Sequence, residues 1–364
     1  MPEQTVHGGA FFERIGVRLD HLERKDEVVS ADVLDAWYDP SPRVLAAVRQ
    51  HLEFLIKTSP PTHAEGLRDV VAERREVDAA NVLLGSGTSS LMFLALPRLV
   101  GPGERAVVLD PMYGEYAHIL EHVVRCQVDR FELPLDGFGV DVDRLASFCQ
   151  GAKLLVMVNP NSPTGVGMQL VQMQALLERL PADCRLWVDE TYIDFMPGSQ
   201  SLEPLVAADP RLVVCKSMSK FYGLSGLRVG YLVAAARQVD ELSGLTPPWQ
   251  VGLIGQLAAV EALGDVEYYT AHAQTTMDLA KTLQARLDST GRFVATPTNA
   301  NFVIARCLGF SATSLIERCQ ADGVFFRQCD SLSPRFKDDH VRIAVKGPEL
   351  DERVMQTIDR CLTD

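Results

Sequence analysis

From about residue 80 the chain alternates short apolar runs with longer amphipathic stretches. The runs are Asn81–Gly85, Ala106–Asp110, Cys126–Leu133, Leu154–Asn159, Leu186–Asp189, Leu212–Cys215 and Val229–Ala234. Several are continuously apolar and β-branched, as strands covered on both faces are. Helical spacing fills the intervals at Ser90–Leu99, Tyr116–Val124 and Leu170–Leu180. This alternation predicts an α/β fold: a three-layer large domain around a mostly parallel, seven-stranded sheet.

The pattern changes after Pro247-Pro248. A long helical stretch runs through Ala258–Leu287, and short strands follow at Asn301–Cys307 and Val341–Val345. These elements predict a smaller α+β domain. The expected division is an N-terminal segment, 1–39, joined to the small domain, a large domain, 40–248, and the small C-terminal domain, 249–364.

In sheets of this kind ligands gather outside the carboxyl ends of the strands. Polar clusters follow the strands at Ser86–Ser90, Asp110–Tyr113, Asn159–Gly165, Asp189–Tyr192 and Ser217–Lys220, more than packing alone explains. The last of them carries the sharpest chemistry. Lys220 follows Ser217 and Ser219, and Arg228 comes eight residues later. A lysine forms an imine with an aldehyde, while hydroxyls and a guanidinium hold a phosphate. Pyridoxal phosphate bears both groups on one ring, so the segment reads as its anchor. Gly87, Thr88 and Ser89 lie between a strand and a helix, where free backbone N–H groups suit a phosphate. A dinucleotide reading is weak, because position 90 is serine where that fingerprint needs a third glycine.

Composition narrows the classes. A net charge of −13 argues against a nucleic-acid groove. No run of about 18 apolar residues appears, so no membrane span is expected. The first residues lack the basic and apolar regions of a secretory signal. Eight scattered cysteines include no Cys-x-x-Cys pair, which fits reduced thiols and a cytoplasmic protein. His118 and His122 are spaced for one helix face, but no third ligand is near and no metal is expected.

Three motifs stand in order: Asn-Pro-Asn-x-Pro-Thr-Gly at 159–165, Asp-Glu-x-Tyr-Ile-Asp-Phe at 189–195, and Ser-Lys-Phe-Tyr-x-Leu-x-Gly-Leu-Arg-x-Gly-Tyr at 219–231. On them the chain resembles, over nearly its whole length, the pyridoxal-phosphate-dependent class I/II aminotransferase family of fold type I. The nearest branch holds histidinol-phosphate aminotransferase and threonine-phosphate decarboxylase. His7-Gly8-Gly9 and Pro247-Pro248-Trp249 lean towards the decarboxylase.

The resemblance implies a role for each motif residue. Lys220 holds the cofactor aldehyde and then acts as general acid and base. Asp189 pairs with the protonated ring nitrogen, Tyr192 reaches the ring oxygen O3′, and Tyr113 stacks on the ring. Gly87, Thr88, Ser89, Ser217, Ser219 and Arg228 hold the phosphate. Arg342 and Arg327 grip an anionic group of the substrate, carboxylate or phosphate. The family also implies a homodimer, with the N-terminal segment through His63 contributing to the interface and the partner's site. The expected reaction is transamination of an amino acid or amine, with decarboxylation or Cβ elimination in specialised metabolism as the alternatives.

Two positions depart from the family. Ser162 precedes Pro-Thr-Gly where an asparagine usually reaches O3′, and Asn161, one place earlier, could shift in to replace it. Ser59 stands where histidinol-phosphate aminotransferases carry a tyrosine that reaches the neighbouring subunit's cofactor, with Thr62 or His63 as substitutes. Both changes predict a substrate outside histidine biosynthesis.

Overall fold

Two sheets organise the chain in a computed structural model that describes residues 8–363. His7 lies outside the described residues. The first strand, β1 (Val29–Ala31), belongs to the second sheet. The larger sheet is built from β2 (Val82–Gly85), β3 (Arg105–Asp110), β4 (Gln127–Glu132), β5 (Leu154–Val158), β6 (Arg185–Asp189), β7 (Leu212–Ser217) and β8 (Gly230–Val233). Their order is β2-β8-β7-β6-β5-β3-β4. β8 runs antiparallel to β2 and β7, and the other neighbours pair in parallel. All residues of β2, β5 and β8 are buried, which is why these runs lack polar alternation. The edge strand β4 instead exposes Gln127 and Glu132, and charge on an edge discourages pairing with another chain.

The second sheet adds β9 (Phe293–Ala295), β10 (Phe302–Cys307), β11 (Val324–Gln328) and β12 (His340–Ala344), in the order β1-β11-β12-β10-β9. β1 pairs in parallel with β11, Val29 opposite Val324, so the N-terminal part of the chain closes a sheet otherwise made from its last third. The single helix expected over Ala258–Leu287 is two helices, Leu253–Gly264 and Val266–Ser289, separated where Asp265 leaves helical geometry at φ −109° and ψ 59°. The first packs against the helices Pro42–Lys57 and Glu65–Arg75, and the second runs to β9 and β10. The stretch Tyr116–Val124 begins its helix earlier, at Gly114, and widens into a π-helical turn from Ile119.

Beyond β1 the chain has no ladder to satisfy its backbone. Side chains of the second sheet do so instead, since a buried carbonyl needs a donor. Arg342 Nη2 donates to the Asp32 carbonyl at 3.3 Å, Asn301 Nδ2 to that of Leu34 at 2.9 Å, and Lys346 Nζ to that of Asp35 at 3.2 Å. Tyr38 OH adds a 2.5 Å bond to the Phe221 carbonyl.

A buried ionic cluster ties the segment between β6 and β7 to β7 and to the helix Glu65–Arg75. Lys216 lies 3.6 Å from Glu190, 3.3 Å from Asp194 and 4.0 Å from Glu203, and Arg75 reaches Asp194 and Glu203 from the side. Burial pushes the Glu190 carboxyl up to about 7 despite Lys216. No helix among the described residues is long and apolar enough to cross a membrane. All eight cysteines are buried and unpaired. No group of three or more His, Cys, Asp or Glu side chains among the described residues could hold a metal ion.

Candidate active site

The carboxyl ends of β2, β3, β5, β6 and β7 open on one cavity of about 240 Å³. β8 runs the other way, so the residues just before it, Arg228 among them, reach the same rim.

At the end of β7 the chain turns on its own serine: the Ser219 N–H donates to Ser217 Oγ at 3.2 Å. That turn presents Lys220, whose Nζ donates to Asp35 Oδ1 at 2.8 Å. Ser225 Oγ donates to the same oxygen at 2.6 Å. Burial works against charge on Asp35, but Lys220, Ser225 and Lys346 together hold its carboxyl below the usual range.

Asp189 ends β6 at the cavity floor, 5% exposed. Its Oδ1 accepts from the Thr191 N–H at 2.9 Å and from Thr191 Oγ1 at 2.6 Å, and its Oδ2 from Tyr116 OH at 2.7 Å. Trp187 Nε1 in turn donates to the Tyr116 oxygen at 2.9 Å. Burial raises the Asp189 carboxyl above its ordinary range, against the pull of Thr191 and Tyr116.

Arg228, on the same cavity, takes a left-handed backbone, φ 53°. Its Nη1 donates to the Ser225 carbonyl at 3.0 Å and to Ser219 Oγ at 3.5 Å. The guanidinium lies against Gly87, the first residue of the helix Gly87–Leu99; a Cβ there would stand 2.6 Å from Nη2. A Cβ on Gly230 would meet Gly87 C and Thr88 N at 2.9 Å. The two glycines thus bring a guanidinium onto a helix N-terminus, and no carboxylate among the described residues pairs with Arg228. Two positive ends facing one another are unfavourable unless an anion joins them.

Tyr113, Ser162 and Tyr192 line the cavity wall. The Tyr192 ring meets Phe302 edge-on at 5.4 Å, and burial pushes its hydroxyl well up. Burial also pushes Tyr113 up, to about 12. Ser162 Oγ accepts from Arg342 Nη1 at 3.3 Å, and the Arg342 guanidinium lies 5.5 Å from the Phe302 ring centroid. Thr88, Ser89, Ser217 and Ser219 also face the cavity.

Five of the expected residues stand elsewhere. Asn161 does not line the cavity: its amide donates to the Pro111 carbonyl at 3.0 Å and to Thr164 Oγ1 at 3.1 Å, and it borders a neighbouring cavity with Asn159 and Gln172. That amide is committed to these two acceptors, and the Asn161 backbone carbonyl closes a tight turn by accepting from the Gly165 N–H. Gly87 lies behind Arg228 rather than on the wall. Arg327 sits on β11 in register with Arg342 and gives Nη2 to Ser331 Oγ at 3.2 Å. Thr62 and His63 border a separate small cavity with Gln250. Sequence reasoning also missed residues on the wall: Gly8, Asp32, Val33, Leu34 and Thr191. Only Thr191 had a readable signal, since a threonine two places after a strand-end aspartate favours a closed turn.

The model of the family described as aminotransferase class I and II matches residues 31–358. The chain belongs to that family. This aminotransferase is 30% identical over 324 residues to the histidinol-phosphate aminotransferase of Symbiobacterium thermophilum, covering 89% of this chain and 87% of that protein. It is 28% identical to histidinol-phosphate aminotransferase 2 of Carboxydothermus hydrogenoformans, covering 95% of each. The histidinol-phosphate aminotransferase of Sinorhizobium meliloti, solved with pyridoxal-5′-phosphate, superposes with a TM-score of 0.83 at 20% identity, over 99% of this chain and 96% of that one. L-threonine-O-3-phosphate decarboxylase of Porphyromonas gingivalis superposes at 0.76 and 20% identity, over 92% and 99%. The fold is that of fold type I enzymes, and the cofactor is pyridoxal phosphate.

The cavity fits that cofactor. A guanidinium on a helix N-terminus with no carboxylate partner among the described residues, a buried carboxylate and a lysine amine all line it. If Gly87 makes room for the guanidinium and so for the phosphate, Gly87→Ala displaces Arg228 and strains a backbone at φ 76°. Its affinity for pyridoxal phosphate is expected to fall roughly tenfold, about 1.4 kcal/mol, in a fluorescence titration of cofactor-free protein. An unchanged Kd would remove Gly87 from the phosphate seat.

Proposed function

We propose that this aminotransferase acts on an amino acid or amine that carries an anionic group, with Arg342 receiving the anion, Arg327 beside it, and Lys220 carrying the proton. One observation supports the reading most. Arg342 is 8% exposed and faces the same cavity as Lys220, its Nε has no partner, and no carboxylate among the described residues pairs with it. A buried guanidinium without a counter-charge is costly, and a substrate anion relieves that cost. Burial, and then Arg342, pull the Arg327 guanidinium below its ordinary range, a strain the same anion would ease.

When bound, pyridoxal phosphate supplies an electron sink for the pair left when a bond at the substrate α-carbon breaks. Arg228, Ser217, Ser219 and the amides of Thr88 and Ser89 would hold its phosphate, Lys220 its aldehyde carbon, and Asp189 its ring nitrogen. Tyr113 would cover the ring face. Tyr192 stays protonated and can donate to the ring oxygen, with Ser162 as a shorter donor than asparagine. Lys220 Nζ takes a proton from the α-carbon and returns it on the way to product.

The named relatives act, by their names, on histidinol phosphate. For this chain, Ser59 and Ser162 favour a substrate outside histidine biosynthesis. The likeness in fold to a decarboxylase keeps decarboxylation as an outcome of the test. By analogy with the family the working unit is a homodimer.

A screen of amino acids and amino phosphates with 2-oxoglutarate is expected to yield glutamate for the true donor. Catalytic release of carbon dioxide or ammonia without any keto acid would overturn transamination. With that donor, Arg342→Met is expected to raise KM roughly thirtyfold, about 2 kcal/mol, the worth of a hydrogen bond to a charged group. A KM within threefold of wild type would place the anion elsewhere.

A further inference from the structure

We propose that Asp35 and Lys346 are positioning residues that bias the charge of the Lys220 amine in opposite directions. The inference rests on Lys220 as the proton carrier. Asp35 follows β1, Lys220 follows β7 and Lys346 follows β12, so three remote parts of the chain meet at one residue. Lys220 Nζ and Ser225 Oγ both donate to Asp35 Oδ1, at 2.8 and 2.6 Å. Lys346 Nζ donates to the backbone carbonyl of that aspartate at 3.2 Å. Lys346 is buried, and burial pulls its amine down to about 8; the Lys220 charge pulls the same way, while Asp35, Asp32 and Asp351 oppose. Two amines are thus set against one carboxylate.

The work assigned to Lys220 needs Nζ in two states. It must be neutral to accept a proton from the α-carbon, and it is an ammonium until it gives that proton up. A carboxylate in contact favours the ammonium, and a second cation close by disfavours it. Asp35 therefore steadies the charged state, and Lys346 keeps the amine from being trapped in it. Arg228, Arg342 and Asp189 also line the cavity, and they remain as a common background in any variant of the pair.

The test uses the full-length chain freed of cofactor. Trace acetylation by acetic anhydride at pH 7, below the Lys346 amine, reports neutral amine, with the extent at Lys220 read by mass spectrometry. Lys281, on an exposed helix face, serves as internal reference. Asp35→Asn keeps the shape and removes the charge, and is expected to speed Lys220 labelling roughly threefold or more. Lys346→Gln keeps a donor for the Asp35 carbonyl, and is expected to slow labelling by a similar factor. Faster labelling in both variants would mean a loosened segment and would overturn the proposal, as would an unchanged rate in Asp35→Asn. The reading of Lys220 itself fails separately, by a cofactor label on a different lysine.

Discussion

Lys220→Ala is expected to lower turnover by roughly 10³-fold or more and to abolish covalent capture of the cofactor by borohydride. Two losses combine in this variant. The amine that would hold the cofactor aldehyde disappears, and so does the group proposed to move a proton at the α-carbon. Positioned general acid–base catalysis alone contributes typically ~10²–10⁴-fold. No other lysine replaces it at the cavity wall, because Lys220 is the lysine that lines it among the described residues, and Lys346 gives its Nζ to the Asp35 carbonyl. Arg228, the proposed seat of the phosphate, is untouched, so the variant should still bind cofactor reversibly. In the wild type, borohydride reduction followed by peptide mass analysis should place the cofactor on Lys220. A label on another lysine, or activity in Lys220→Ala within tenfold of wild type, would reject the assignment.

Asp189→Asn is expected to cost about 10²-fold or more in turnover, about 2.7 kcal/mol of transition-state stabilisation. The buried carboxylate is a poor place for a charge in the cofactor-free chain, and burial raises its proton affinity accordingly. A cationic ring nitrogen opposite it would reverse that balance. The carboxylate would then keep the ring protonated, and a protonated ring is the better electron sink. Asparagine keeps the shape and can still accept from Thr191, so the fold should survive with little change in Tm. Cofactor affinity should fall less than turnover. Activity within threefold of wild type would show that Asp189 is not the ring partner.

The large sheet was legible because its strands are buried on both faces and leave unbroken apolar runs, as Leu154–Val158 does. The strands β1, β9 and β11 were not, and for different reasons. Val29–Ala31 and Phe293–Ala295 are three residues long and too short to show a period. Val324–Gln328 ends in Arg327 and Gln328, so only part of it reads as strand. The helix break at Asp265 was hidden because apolar residues continue on both sides of it. In the site, residues near a strand end were readable from their neighbours, as Lys220 was from Ser217 and Ser219. Asp35 and Lys346 were not. They lie 185 and 126 residues from Lys220 in the chain, and no local pattern joins them.

The clamp on residues 32–35 has a consequence for how this protein comes into being. Its three donors, Asn301, Arg342 and Lys346, lie 267, 310 and 311 residues after the carbonyls they hold, and the strand that pairs with β1 is similarly remote, so all of them leave the ribosome long after this segment. The large sheet can assemble during synthesis, but the backbone of residues 32–35 lacks these three donors, and β1 its strand partner, until residues 301–346 have been made. Contacts so distant in sequence form slowly. A nascent chain arrested near residue 320 should therefore have a folded large sheet, while a protease still cuts freely around residues 29–35.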